Sequence, residues 1–537
     1  MLNKIFGRRK KENPLVKHWP WTLAGILLLA TALRLINISV EPYWADEVLS
    51  LDIATKSAGF GEMIRYIAAV EFHPPLYYIL LRGWTMLFGA TELATRLLSL
   101  LFGLGTIGLA FVAGKKIFNS RAVGLWAAVI LAVLPMQIEF GQEARPYTML
   151  CFFGTAAFIL LWEYLRTKRT AQLAGYLLCS LAGVYLHYSF AFVSLTLAGW
   201  WLWRVVRDQS DNRPRAFVHW LVAHGFLFLG FYPWLQPLLY KISLGGYDFY
   251  GLSRNAVPYR QPEYLEMVLH KMIWLTKEKG IMQVELLAII LSKALLLWAL
   301  VTFVRNLKID RRQTVLRPLT YLLWLAAIPL VMFIASPQSV PYSTIHFRHV
   351  LFMTVPLSLI LGRIAVAIPR RQAAVVLAVF FVTLVPSVSR VAMNDALWDY
   401  DFRLEEAGEI INENYRPGDL VVVTVVGIRT DLAHYLRPEI PVQALLPTNF
   451  YGNDISLDRH RLGVIENEMQ VRIRRTTSTA IDGKMDRLIA AGDYDRVWLF
   501  PFHEEDYFVH DYFQERDWRW VYRNVGNILR LDMYSKE

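Results

Sequence analysis

Five short segments of this sequence carry ionisable side chains of the types that acid–base chemistry and anion binding require. Asp46 and Glu47 lie in EPYWADE, and Glu71 and His73 follow in EFHPP. The other groups are Glu139, Glu143, Arg145 and Tyr147 in EFGQEARPY, His187 and Tyr188 in LHY, and His346, Arg348 and His349 in TIHFRHV. A carboxylate can take a proton from a hydroxyl group, and arginine and histidine can stabilise the charge on a phosphate.

Each segment also has a purely structural interpretation. Adjacent acids after a hydrophobic run are common in solvated loops, and His73 could cap the helix that follows its two prolines. His187 and His349 could be ordinary interfacial histidines, and arginines near a membrane face contact phospholipid headgroups. Only convergence of the segments on one side of a membrane would favour a functional site. The location of each segment relative to the membrane therefore decides between the structural and the functional interpretation.

The composition predicts a polytopic α-helical membrane protein. Apolar residues make up 55% of the 537 residues and charged residues only 19%, which is too apolar for a soluble protein of this size. Runs of about 20 residues, enough to cross a bilayer as a helix, recur up to position 390. We predict eleven spans, at 20–38, 93–113, 121–138, 145–165, 171–187, 189–206, 216–238, 284–304, 318–335, 349–366 and 372–390.

The net charge of +11 comes largely from short basic clusters between the hydrophobic runs. Such clusters set membrane orientation, so no nucleic-acid partner is expected. A cytoplasmic N-terminus places every cluster inside, provided that Pro75–Gly89 lies flat at the outer interface instead of spanning. All five segments then face outward, and the first span is expected to stay uncleaved. We expect a multi-pass protein of the inner (plasma) membrane.

After residue 390 the composition becomes charged and mixed, which predicts a C-terminal soluble α/β domain outside the cytoplasm. Strands are expected at 420–426 and 496–500, and helices at 403–414, 430–436 and about 466–491. The end of the chain predicts two strands joined around 524–526. The expected domains are a cytoplasmic basic N-terminus at 1–19, a transmembrane catalytic domain at 20–390 with an outer loop at 39–92, and the α/β domain at 391–537.

Two charged residues fall within predicted spans. Arg34 lies near the outer end of the first span and Lys293 in the middle of the eighth. A charge inside a membrane is costly, so each needs a partner or an aqueous cavity. Both cysteines, Cys151 and Cys179, also fall within spans, which favours core packing over a disulfide framework or a metal site.

The predicted outer location narrows the chemistry. Sugar nucleotides are not readily available there, and the chain lacks GxxxxGK[ST], HExxH and GxSxG motifs. Two D-x-D triplets, at 399–401 and 493–495, have the spacing of a nucleotide–metal site, but we interpret them as surface turns. Asp46 or Glu143 could deprotonate an acceptor hydroxyl group during glycosyl transfer. Arginines and histidines could hold the departing phosphate.

In their order, these segments resemble the GT-C superfamily of polyprenyl-phosphate-dependent glycosyltransferases. The resemblance covers residues 20–390 and is carried by WADE, HPPLYY, RLLSLLFG, FGQEARPYTM, YLHY and FRHVLFMTVPL. It is strongest for bacterial members of families 39 and 83, relatives of the protein O-mannosyltransferases and of the lipid A aminoarabinose transferase. The resemblance implies a GT-C fold and inverting transfer of a sugar from undecaprenyl or dolichyl phosphate. It also implies juxtamembrane helices in the first outer loop.

Residue roles follow from the same resemblance. It implies Asp46 as the base or acceptor-orienting acid, and Glu143 as a second acid that can face the acceptor or a metal. It also implies that His73 and Arg348 contact the carrier phosphate, although the aminoarabinose transferase pattern has a lysine where this chain has His73. No cofactor is required, but Asp46 and Glu143 could bind a divalent metal. The full predicted site adds Arg145 and His349 for the phosphate, and Glu47, Tyr77, Tyr147, His187, Tyr188 and His346 for the substrates.

The expected partners are a polyprenyl-phosphate-linked sugar donor, membrane lipids and an envelope acceptor that could be a lipid, a glycan or a protein. Two other functions stay open. A lipid-linked sugar flippase or transporter would place its ionisable groups near the bilayer midplane and often shows repeats. A scaffold for polysaccharide assembly would act through the C-terminal domain, but it leaves the converging acids and bases unexplained.

Overall fold

The computed structural model of the chain divides into two compact units. The first is drawn from Met1–Ile38, Arg96–Pro233 and Tyr259–Asp395, and the second from Ser39–Thr95, Trp234–Pro258 and Ala396–Glu537. The predicted outer loop at 39–92 is therefore grouped with the C-terminal region. The structure describes isolated positions between 290 and 301 and residues 14–40, 43, 45–69, 71, 73–207, 212–243, 347–392, 404–425, 432–446, 485–490, 494–500, 512–514, 516–525 and 530–536.

Helices dominate the described residues up to Ala392. In chain order they are α1 (Pro14–Lys17), α2 (Trp19–Leu35), α3 (Ala45–Lys56), α4 (Phe60–Ala69), α5 (Leu76–Phe88), α6 (Glu92–Ile117), α7 (Arg121–Val133), α8 (Pro135–Glu139), α9 (Tyr147–Thr167), α10 (Thr170–Leu186), α11 (Phe190–Arg207), α12 (Arg213–Ser243), a 3₁₀ helix (Phe347–Met353), α13 (Thr354–Ala367) and α14 (Arg370–Ala392). A further helix, α15 (Leu404–Asn414), precedes the strands.

The predicted spans other than 284–304 and 318–335 all coincide with described helices. By length and composition, α6, α9 and residues Arg213–Lys241 of α12 are each able to cross a membrane, and shorter apolar helices match the other spans. The spans at 284–304 and 318–335 lie outside the described residues, apart from single helical positions that include an exposed Lys293. The total of eleven spans stays a prediction.

The predicted span at 121–138 is interrupted, because α7 ends at Val133 and α8 begins at Pro135. Proline has no amide proton and clashes with the carbonyl group four residues earlier, here that of Leu131. The Arg34 side chain takes over the missing donation. Its Nη2 donates to Leu131 O at 3.1 Å, and its Nη1 donates to Ala132 O at 3.0 Å and Ala30 O at 3.1 Å. The buried cation thus caps a broken helix.

Small residues allow α7 to pack closely against its neighbours. A Cβ added to Gly362 of α13 would lie 2.9 Å from Val123 O of α7, and one added to Gly114 of α6 would meet the backbone of Gly124. Helices in membranes associate through close van der Waals packing at such positions. The sequence therefore uses glycine where α6, α7 and α13 meet.

Helix α5 corresponds to the predicted interfacial helix at Pro75–Gly89, and it ends at Gly89, whose φ is +85°. Arg82, the residue that made a membrane span unfavourable here, is half-buried. Its Nη1 donates to Ala54 O at 2.8 Å and Ser57 O at 3.0 Å, at the C-terminal end of α3. The flat orientation of α5 at a membrane stays a prediction.

Among the described residues of the C-terminal region, five strands form one mixed sheet. They are β1 (Asp419–Val425), β2 (Val442–Leu446), β3 (Arg496–Phe500), β4 (Arg519–Val525) and β5 (Arg530–Ser535). The order is β2-β1-β3-β5-β4, with β1 parallel to β2 and β3, and β5 antiparallel to β3 and β4. The predicted strands at 420–426 and 496–500 are therefore observed, as is the terminal strand pair.

Side chains alternate between two apolar cores, one on each face of the sheet. Val421 and Val423 pack on one face with Ile411 of α15, whereas Leu420 and Val422 pack on the other. Of the predicted helices, 403–414 is observed as α15 and 430–436 is helical over 432–435. Only 485–490 of the third is described, and it is helical. The solubility and outer location of this region stay predictions.

Candidate active site

The loop that carries Glu143 and Arg145 is fixed by its backbone. Arg145 N donates to Glu143 O at 2.8 Å, and Ser99 Oγ of α6 donates to Arg145 O at 3.0 Å. Thr148 Oγ1 in turn donates to Ser99 O at 2.9 Å. Glu143 and Arg145 are both buried. Because α6 and α9 hold this loop from both sides, its two ionisable side chains start from a rigid backbone.

A second anchor ties the same loop to the end of α2. Gln142 Nε2 donates to Ile36 O at 2.6 Å and lies 3.3 Å from Arg34 O. Carbonyl groups at the end of a helix lack partners within the helix. Gln142 therefore satisfies the C-terminal end of α2 and fixes the position of the loop relative to the first predicted span.

Three predicted site residues gather around the aromatic ring of a fourth, Tyr147. The guanidinium carbons of Arg145 and Arg348 each lie 5.9 Å from the centre of the Tyr147 ring. The His187 ring centre lies 6.2 Å from that of Tyr147, and the Phe140 ring centre lies at 5.3 Å. A guanidinium group within about 6 Å of an aromatic ring is attracted by the ring face.

His187 ends α10 with extended backbone and is buried. Its Nδ1 accepts a hydrogen bond from Ser189 N at 3.0 Å. Because Nδ1 is the acceptor, the neutral ring carries its proton on Nε2. His187 can therefore donate from Nε2. Tyr188, in the same turn, is half-buried.

A cavity that is open to solvent lies beside this group of residues, and its empty volume of about 240 Å³ includes part of that open space. Its polar wall consists of Arg348, Tyr147 and Ser189. Its apolar wall is formed by Leu150, Phe190, Val193, Leu351 and Phe352. The start of α9, the start of α11 and the 3₁₀ helix supply these side chains. The lining of the cavity thus combines one cationic side chain with an apolar surface. His346 and the side chain of His349 lie outside the described residues.

In the second unit, Asp46 and Glu47 form the first turn of α3. Carboxylates are favoured at this end of a helix, because the helix dipole is positive there. Glu47 is only 1% exposed, and Asp46 is half-buried with its carbonyl oxygen accepting from Ser50 Oγ at 2.7 Å. The helix dipole therefore favours this placement of the two acids.

His73 is oriented by a neighbouring carboxylate. Its Nδ1 lies 2.6 Å from Glu71 Oε1, and its backbone N donates to the same oxygen at 3.1 Å. Glu71 is buried, whereas the side chain of His73 is 24% exposed. Glu71 therefore fixes the orientation of the His73 ring through Nδ1. Tyr77, a predicted substrate contact, is buried in an edge-to-face pair with Tyr78 at 5.7 Å.

The sequence prediction missed Lys241, Tyr66 and Ser189. Lys241 is buried near the end of α12, where its Nζ donates to Ile67 O at 2.8 Å and interacts with the charge of Glu71. The sequence did contain a clue to Lys241. Helix α12 is predicted to end outside the cytoplasm, where lysine is uncommon near a membrane span. Burial, and then the charges of Glu71 and Asp52, raise the pKa of Tyr66 to about 12.

The structure thus gathers Arg145, His187 and Arg348 around Tyr147 in the first unit, and the second unit contains Asp46, Glu47, His73 and Tyr77. Within the described part of the chain, no three histidine, cysteine, aspartate or glutamate side chains lie close enough together to hold a metal ion. The divalent metal predicted at Asp46 and Glu143 stays a prediction, as do the roles of the individual site residues.

Comparisons with known proteins bear on the fold. Residues 72–236 match the family model described as dolichyl-phosphate-mannose-protein mannosyltransferase. The chain is similar to the crystal structure of apo ArnT from Cupriavidus metallidurans, with a TM-score of 0.60 and 12% identity over 98% of this chain and 99% of that chain. The same protein bound to undecaprenyl phosphate gives a TM-score of 0.57 and 12% identity over 97% and 98%. No curated protein sequence matches the chain. These findings confirm the resemblance to the GT-C superfamily at the level of the fold.

Proposed function

We propose that this protein is an inverting glycosyltransferase of the inner membrane, with its active site on the extracytoplasmic face. It would move a sugar, hexose or pentose, from a polyprenyl-phosphate carrier to an envelope acceptor. The observation that carries the proposal is the cavity beside Tyr147. This cavity is lined by the Arg348 cation and by apolar side chains. A polyprenyl phosphate has the same two parts, an anionic head and a hydrocarbon tail.

The comparisons support this class of donor. The matching family is described by its use of dolichyl-phosphate-mannose, and ArnT has been crystallised with undecaprenyl phosphate. Both lipids are polyprenyl phosphates, so the two similarities indicate the same type of carrier. The acceptor would be a lipid, a glycan or a protein of the envelope, and the similarity to ArnT makes lipid A a reasonable first choice.

The proposed reaction is a single displacement. The acceptor hydroxyl oxygen attacks the anomeric carbon from the face opposite the carrier phosphate, and the bond between that carbon and the phosphate oxygen breaks. The acceptor proton passes to a carboxylate, for which we propose Asp46, with Glu143 facing the acceptor. The departing phosphate gains negative charge, which Arg348, Arg145 and His73 would stabilise.

The proposal is tested by following the sugar. Purified protein in lipid nanodiscs is incubated with undecaprenyl phosphate carrying a radiolabelled hexose or aminopentose, together with lipid A or an envelope fraction. We expect the label to move to an acceptor and undecaprenyl phosphate to accumulate in equal amount. If the label stays on its carrier but crosses the bilayer when the protein is reconstituted in vesicles, the protein is a flippase and the proposal is wrong.

A matched pair of variants ties this activity to the cavity. Arg348→Ala removes the cation that lines the cavity. Arg166→Ala removes an exposed arginine at the C-terminal end of α9, whose Nη1 lies 3.7 Å from Glu163 Oε1. We expect transfer to fall in the first variant and to persist in the second. Equal activity of the two variants would show that the cavity does not bind the donor.

A further inference from the structure

A short helical segment of the C-terminal region, residues 432–435, contacts the start of α3. Tyr435 donates a hydrogen bond from its hydroxyl group to Tyr43 O at 2.9 Å, across 392 positions of sequence. Tyr43 precedes Asp46 by three residues. The contact therefore holds the backbone just before the turn that presents Asp46 and Glu47.

Tyr43 is itself fixed on several sides. It is 3% exposed, and its ring packs with Val48 and Leu51 of α3. Its hydroxyl group donates to Ala90 O at 3.1 Å and lies 2.8 Å from Thr95 Oγ1. These contacts fix Tyr43 just before the start of α3. Tyr435 contacts the carbonyl oxygen of Tyr43.

His434 provides a second contact with the same helix. Its ring lies edge-on to Tyr43, with 5.8 Å between the ring centres. Its Nδ1 lies 3.9 Å from Asp52 Oδ1, further along α3. The segment therefore contacts α3 at two points, before its first turn and at Asp52.

The segment is firmly attached to α15 behind it. Asn412 Nδ2 donates to Tyr435 O at 2.8 Å, and Asn412 Oδ1 accepts from Arg437 N at 2.9 Å. A Cβ added to Gly408 would lie 2.6 Å from Tyr435 Cβ, so only glycine permits this approach. Because α15 packs on the sheet through Ile411, the segment is connected to the rigid C-terminal core.

We propose that residues 432–435 act as a clamp that positions the first turn of α3, and that Tyr435 is a positioning residue for Asp46 and Glu47. The proposal rests on the proposed function, because it acts through the proposed base. A twelve-residue helix is marginal by itself in water, so tertiary contacts must hold it. Catalysis is sensitive to such placement, since an error of about 1 Å can cost roughly 100-fold in rate.

Tyr435→Phe tests the clamp, with Tyr415→Phe as the matched control. Both changes remove one hydroxyl group, and both rings pack against the same core. We expect Tyr435→Phe to lower kcat about 5- to 10-fold, the contribution of one neutral hydrogen bond. The KM for the lipid donor should stay within about twofold, because only the base is displaced. Tyr415→Phe should behave as the wild type does.

Hydrogen–deuterium exchange gives a readout that is independent of activity. Tyr435→Phe should speed exchange in peptides covering 45–52 and leave those covering 404–414 unchanged. His434→Gln, which alters the second contact, should speed exchange in the same peptides and serves if the first variant does not fold. Equal exchange of 45–52 in the Tyr435 and Tyr415 variants would overturn the clamp. A wild type that transfers no sugar would instead overturn the proposed function, while the exchange data still decide the clamp.

Discussion

The two units surround their charged residues in different ways. In the first unit, Arg145 and Arg348 lie over the ring of Tyr147, next to an apolar cavity. In the second unit, Glu71 Oε1 lies 2.6 Å from His73 Nδ1, and Asp52 Oδ2 lies 2.6 Å from Lys56 Nζ. A guanidinium group over an aromatic face can attract an anionic ligand, and a carboxylate can take up a proton. We therefore associate the first unit with binding of the donor phosphate and the second with proton transfer.

The largest expected effect comes from the acid of the second unit. Asp46→Asn keeps the size of the side chain but removes the basic carboxylate. Loss of a general base typically lowers kcat by about 10²- to 10⁴-fold, or roughly 3 to 5 kcal/mol of barrier. Binding of undecaprenyl phosphate should be retained, because its proposed site lies among the cations. Single-turnover transfer of labelled sugar measures the first quantity, and equilibrium binding of the lipid measures the second.

Glu143→Gln is the comparison for that experiment. If Asp46→Asn turns over at the wild-type rate while Glu143→Gln is inactive, the roles of the two acids are reversed, and the first unit holds both the cations and the base. Two fully active variants would contradict the acid–base mechanism itself.

A second prediction separates a structural arginine, Arg34, from the arginines that we propose to bind the donor in the first unit. Arg34→Met removes the donors to Leu131 O and Ala132 O at the end of α7. Leaving buried carbonyl groups without donors should lower the free energy of unfolding by about 2 to 4 kcal/mol. Denaturant unfolding in detergent measures the loss. The affinity of the folded variant for the lipid donor should not change, and a selective loss of affinity would place Arg34 in the site.

The same arginine shows what the sequence could and could not predict. Long apolar runs fix the helices, because only a helix satisfies the backbone in lipid, and α2, α6 and α9 lie where hydropathy places them. The need of Arg34 for a partner was predictable from the cost of a charge in the membrane. Its actual partners were not, because they depend on how α2 packs beside the break at Pro135.

The candidate site likewise has a part that the sequence predicts and a part that it does not predict. Residue types near predicted span ends indicated Arg145, Tyr147, His187 and Arg348, and the structure gathers the other three around the ring of Tyr147. Lys241 was missed, although its position contradicts the usual distribution of positive charge. The contact of Tyr435 with Tyr43 could not be predicted, because no local pattern relates residues 392 positions apart.

A third, smaller effect is expected at the cavity. Arg348→Ala should weaken donor binding by about 1.5 to 3 kcal/mol, or roughly 10- to 150-fold in Kd, the usual contribution of a hydrogen bond to a charged group. Arg348→Lys should restore part of the affinity, because a point charge cannot form two parallel hydrogen bonds. Titration with undecaprenyl phosphate measures both. A change confined to kcat would remove the distinction between a binding unit and a proton-transfer unit.

The smallest expected effect is a pH dependence of the clamp at His434. Burial lowers the pKa of His434 below its ordinary 6.5, although the carboxylate of Asp52 opposes this shift. Lys56 lowers the pKa further and Glu92 raises it, and the rings of Tyr43 and Tyr435 face the same histidine. The pKa shift is thus a net result of burial against a nearby carboxylate.

A lowered pKa means that the unfolded segment binds protons more readily than the folded one in mild acid. The contribution of His434 is therefore complete above pH 6.5, its ordinary pKa, and is lost as the pH falls through the lower pKa of the folded state. After correction for intrinsic exchange rates, peptides covering 45–52 should lose protection on acidification in the wild type. They should lose less in His434→Gln, which cannot titrate at this position. Identical pH profiles for the two proteins would mean that His434 packs against α3 without controlling it.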